Sequence, residues 1–74
     1  MIVEIVLENE VDLNIEGLSK IDLVKGYVLY NPSENRVEAL VKRHPDGKVS
    51  VFTDKIDIIR KAIELGRVID VHFR

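Results

Sequence analysis

Between Gly26 and Thr53, GYVLYNPSENRVEALVKRHPDGKVSVFT, apolar and polar positions alternate around two turn signals, a pattern that predicts a three-stranded antiparallel meander. In His44-Pro45-Asp46-Gly47, proline fits the first corner of a type I turn and glycine supplies the left-handed residue of a three-residue hairpin loop. That loop sets Val41 against Val51 and Leu40 against Phe52. The Pro32-Ser33-Glu34-Asn35 turn, with Asn35 left-handed, sets Asn31 against Arg36, Tyr30 against Val37 and Val28 against Ala39. One face of the meander is then expected to carry Val28, Tyr30, Val37, Ala39, Val41, Val49 and Val51. The other carries Tyr27, Leu29, Leu40 and Phe52 among Glu38, Lys42, Lys48 and Ser50.

The flanking segments complete the pattern. Residues 1–8, MIVEIVLE, read as a strand with apolar residues on both faces, hence interior to the sheet. Val11, Leu13 and Ile15 alternate with Asp12, Asn14 and Glu16, which suggests a second strand joined to the first by a hairpin. Leu18 to Leu23 resembles a short helix start, with Ser19 as cap and Leu18 against Leu23. Residues 54–65 form the clearest helix, with Asp54 as N-cap and a left-handed Gly66 as terminator. Ile56, Ile58, Ile59, Ala62, Ile63 and Leu65 fill about half its circumference. Residues 67–73 alternate as a final strand, with Ile69, Val71 and Phe73 inward and Asp70, His72 and Arg74 outward. The expected fold is one α+β domain spanning residues 1–74: a mostly antiparallel sheet with one amphipathic helix over one face. A small, partly rolled β-barrel is the alternative.

Composition bounds the function. Seventy-four residues bury only about 60% of the surface their unfolded chain exposes, and without cysteine no disulfide can supplement the core. That leaves dense packing or self-association, and self-association is the supplement expected. No stretch approaches the roughly 20 apolar residues of a membrane span, and the N-terminus lacks the basic start of a signal peptide, so a soluble cytoplasmic protein is expected. The lack of glutamine and the abundance of Ile, Val, Lys and Glu fit a protein from a hot environment. A net charge of −2, from 11 basic and 13 acidic residues, gives no global attraction for nucleic acid.

Candidate chemistry is sparse. Asp70, His72 and Arg74 share one side of the last strand and could move a proton or hold an anion, yet alternation alone makes them a solvated edge. His44 beside Asp46 lacks the spacing of a metal site, and no cofactor or metal is expected. Lys42, Arg43 and Lys48 gather near one hairpin tip, beside Tyr27 and Phe52, which is the combination single-stranded nucleic acid requires. The acidic balance disfavours that reading. The favoured one is a non-enzymatic interaction module that self-associates, as a dimer before larger assemblies, or binds another protein through Tyr27, Leu29, Leu40 and Phe52. Val28 to Val41, VLYNPSENRVEALV, is similar to the central hairpin of PRC-barrel domains, a resemblance that implies a small barrel. The Gly-rich strand that precedes that hairpin in the family is absent here.

Overall fold

Both turns close as their residues dictate. Asn35 takes a φ of 52° and Gly47 a φ of 93°, and the second loop is tied by Gly47 N–H to His44 O at 3.0 Å and His44 N–H to Lys48 O at 2.8 Å. Around these hairpins the computed structural model, which describes residues 1–74, builds β1 (Val3–Leu7), β2 (Ser19–Leu23), β3 (Gly26–Asn31), β4 (Arg36–Arg43), β5 (Val49–Thr53), α1 (Ile56–Leu65) and β6 (Val68–Phe73). The strands form one antiparallel sheet in the order β2-β3-β4-β5-β1-β6. It is open, with β2 and β6 at its edges, and not the barrel that the PRC-like hairpin implied. The class is α+β, as the pattern predicted.

The pairings Val41↔Val51, Leu40↔Phe52, Tyr30↔Val37 and Asn31↔Arg36 all form as the turns required. Val28 does not meet Ala39, however; it meets Leu40, while Leu29 meets Ala39. A β-bulge causes the difference. Glu38 is an extra residue in β4 between the Leu29 and Tyr30 pairs, and one extra residue reverses the face of every side chain beyond it. Tyr27 and Leu29 therefore lie on the covered face with Ala39, Val41, Val49 and Val51. Val28, Tyr30 and Val37 lie on the other face with Leu40 and Phe52.

The covered face is roofed by α1 and by an extended strap, residues 8–18, where a strand and hairpin had been expected. Val11 and Leu13 are buried and Ile15 and Leu18 pack at the margin, so the alternation correctly marks burial. The strap lacks a strand partner. Instead the Tyr27 hydroxyl donates to Val11 O at 2.8 Å and accepts from Leu13 N–H at 3.2 Å, satisfying two buried main-chain groups. The core comprises Ile5, Leu7, Val11, Leu13, Tyr27, Leu29, Ala39, Val41, Val49, Val51, Ile58 and Ala62.

Three local expectations change. Ser19–Leu23 is an edge strand, not a helix start, because Ile21 and Leu23 have β3 to pair with across the two-residue Val24-Lys25 turn. Gly26, where β3 begins, is required by the other neighbour, β4: a Cβ there would lie 1.8 Å from Val41 O. Helix α1 has Lys55 at its N-cap position, with no side-chain cap, and Gly66 is extended at φ −118°. Gly66 is glycine for space, since a Cβ would lie 2.8 Å from the Leu7 side chain. β1 is interior to the sheet, but only its covered face is sheltered, leaving Val6 half-buried and Ile2 exposed.

The Tyr27 hydroxyl holds the strap, so Tyr27→Phe is expected to destabilise the chain by about 2 kcal/mol in urea unfolding. A loss below about 0.5 kcal/mol would show that the strap satisfies its main chain without it.

Candidate interaction surface

The open face of the sheet is set by the register. One row crosses it from edge to edge: Ile21, Val28, Leu40, Phe52, Glu4 and His72. Its first four members are apolar. Ile21 is 45% exposed and Leu40 36% exposed, while Val28 and Phe52 are half-buried only by their neighbours. Ile2, Val37, Leu40 and Phe52 line a shallow hollow of about 340 Å³ with Arg36 and Asp54 at its margin. Of the four residues expected to form this surface, Leu40 and Phe52 are here. Tyr27 and Leu29 are not: they are 2% and 1% exposed in the core, displaced by the Glu38 bulge. Ile21, Val28 and Val37 take their places. The Ile21 and Leu23 spacing, two residues apart like a strand, was the signal that could have found the first of them.

Glu38 shows how the bulge is held. Its carboxylate turns under the covered face, where Arg36 Nε lies 2.9 Å from Oε1 and Lys55 Nζ 3.8 Å from Oε2, and Asn31 Nδ2 donates to Oε2 at 3.3 Å. Thr53 Oγ1 donates to Glu38 O at 2.8 Å. Oε1 is buried without a well-aligned hydrogen bond, so the ion pairs supply its compensation.

At the β6 end the face becomes polar. Arg74 donates to Glu4 Oε1 through Nε at 3.2 Å and also through its terminal nitrogen, and His72 Nε2 lies 3.2 Å from Asp70 Oδ2. The Arg74 guanidinium holds the Glu4 carboxyl below its ordinary value, helped by Ser50 and opposed by burial. The structure thus brings Asp70, His72 and Arg74 onto one side of the strand, as alternation required, but engages them with each other and with Glu4. The nearby hydroxyl, Ser50, is fully buried with His44 Nε2 2.7 Å from its Oγ, so it is closed to a substrate.

The hairpin cations are also engaged. Arg43 pairs with Glu10, and Lys48 pairs with Asp46 at 2.9 Å, depressing the Asp46 carboxyl below its usual value. Lys42 alone of the three has no carboxylate partner, and the Tyr27 ring lies inside, with Lys20 Nζ 4.5 Å from its centroid. No aromatic platform accompanies the cations except Phe52. No helix is long and apolar enough to cross a membrane. The chain matches no protein-family model, no curated protein and no solved structure.

Because Glu4 titrates below its ordinary 4.5 when folded, its pairing stabilises the fold above that pH and is lost as pH falls through and below it. Arg74→Ala should lower stability at neutral pH and flatten the acid limb of a urea-midpoint titration. An acid limb as steep as that of the parent would show that Arg74 does not hold Glu4.

Proposed function

We propose that the chain is a non-enzymatic interaction module that associates with copies of itself through the open face of its sheet. The observation that carries this reading is the apolar row on the open face, with Ile21 and Leu40 exposed in it and Ile2 and Val37 exposed beside it. Scattered apolar residues need no explanation, but Ile21, Val28, Leu40 and Phe52 are contiguous across four neighbouring strands. Covering such a row against a second sheet, about 10 Å away, is how sandwich cores form.

The surroundings suit a second copy. Lys42, Arg36 and Arg74 stand near the face with Glu4, Asp54 and Asp70, so both signs are present. A surface of one sign would repel its own copy, whereas a mixed rim can meet it without net repulsion. For a chain this short, association also supplements a thin core.

Leu40 is central to the row, which makes Leu40→Glu the informative variant. It should weaken association by roughly a hundredfold, about 3 kcal/mol, in sedimentation equilibrium while leaving the far-ultraviolet circular dichroism of a folded chain. A parent chain that stays monomeric at high micromolar concentration would refute the proposal.

A further inference from the structure

The two edges of the sheet are built differently. β2 is a five-residue strand that places Lys20 and Asp22 on the covered side, with Lys20 bonded to Asp12, and charged edges discourage pairing. β6 is six residues long, VIDVHF, without lysine, proline or a covering segment, and every residue in it is exposed. Its outward main chain can be identified. Arg74 N–H donates to Ile2 O at 2.8 Å, so residues 74, 72 and 70 direct their main-chain groups to β1. Val71 and Phe73 direct theirs away from the sheet, and the Val71 N–H, lacking a strand partner, bonds the carboxylate of its own neighbour Asp70 at 2.9 Å.

The apolar surface beside this edge is continuous with the helix. Asp57 and Ile58 line a hollow with Ile15 and Leu18, which puts the strap on one flank of α1. At 100° per residue the opposite flank, toward β6, carries Ile56, Ile59 and Ile63. Ile56 and Ile63 are exposed, as are Val71 and Phe73 on the same side of the sheet, opposite Ile5 and Val3. Exposed apolar side chains therefore stand both on this helix flank and on the covered side of the edge strand.

We propose that β6 pairs antiparallel with β6 of a second copy, about a two-fold axis at Val71, joining two sheets into one. Antiparallel alternation allows a two-fold axis only at a residue, and three centres keep the strand paired over most of its length. A centre at Asp70 opposes two aspartates, and a centre at His72 opposes two histidines. A centre at Val71 instead sets Asp70 against His72 of the copy and His72 against its Asp70. It also lets Val71 exchange both main-chain bonds with Val71 of the copy, the regular pairing running from Asp70 to Phe73 and ending at Ile69, where β6 bulges against β1. The second strand covers the exposed Val71 and Phe73 side chains from the side. This pairing does not rest on the open face; if both surfaces are used, the assembly is larger than a dimer, and a closed tetramer results where the two kinds of two-fold axis cross at right angles.

Single-cysteine variants test it cleanly, because the chain has no cysteine of its own. Directly opposed residues of a hydrogen-bonded antiparallel pair lie about 5.5 Å apart, within disulfide range. Under mild oxidation at micromolar concentration, Val71→Cys should form a covalent dimer about a hundredfold faster than Ser19→Cys on the opposite edge, since pairing raises the effective concentration toward millimolar. A mixture of Asp70→Cys with His72→Cys should yield the mixed dimer in excess over either self-linked product. Val71→Cys reacting no faster than Ser19→Cys overturns the pairing, and excess self-linkage of His72→Cys overturns its register. Repeating the Val71→Cys reaction in a Leu40→Glu background separates the two surfaces: unchanged cross-linking is expected, and its loss would mean that the edge depends on the face.

Discussion

The residue that Glu38 inserts into β4 decides which side chains of β3 face inward, and most of the architecture depends on it. Without the bulge, Val28 would oppose Ala39 and the tyrosines would exchange places. With it, Tyr27 enters the core and its hydroxyl becomes the anchor for the strap, while Val28 turns out toward Leu40. The bulge is fastened by its own carboxylate, held among Arg36, Lys55 and Asn31, and by Thr53 on the neighbouring strand. A local insertion thereby fixes a long-range division of apolar residues between a sheltered face and an open one.

That division leaves a small chain with more sheet than roof. A ten-residue helix and an extended strap cover one face of six strands, and nothing in the fold covers the other. The roof is also narrower than the sheet: β2 and β6 are exposed along their whole lengths. The two edges meet this differently, one through charge and the other through an apolar strand beside an apolar helix flank. Large unpaired apolar surfaces are costly in water, so the same shortage of cover that limits stability is the ground for the association we propose.

What was legible in the sequence follows from how local each signal is. The turns needed only their own residues, and they yielded four correct cross-strand pairs. The helix needed only its 3.6-residue period. The strap deceived because alternation reports burial on one side and says nothing of a hydrogen-bonding partner; Val11 and Leu13 alternate inward while Tyr27, distant in sequence, supplies the bonds. β2 deceived because Ser19 and Asp22 satisfy a helix cap locally, whereas pairing with β3 is a tertiary gain. The bulge left no mark in apolar spacing, since Val37 and Ala39 read as one face whether or not Glu38 is extra. Two of the four expected surface residues consequently lie on the other side, and the pattern does not reveal Ile21, Val28 and Val37 in their place.

The central claim is that Leu40, Val28 and Ile21 form an exposed surface that a second copy covers, while Leu29 and Val41 lie within the fold. Methyl-resolved nuclear magnetic resonance with a soluble paramagnetic agent, followed through a dilution series, measures this directly. Leu40, Val28 and Ile21 methyls should relax strongly in dilute solution and become protected as concentration rises, with Leu29 and Val41 protected throughout. Equal relaxation of Leu29 and Leu40, or exposure of Leu40 that does not change with concentration, would contradict the account.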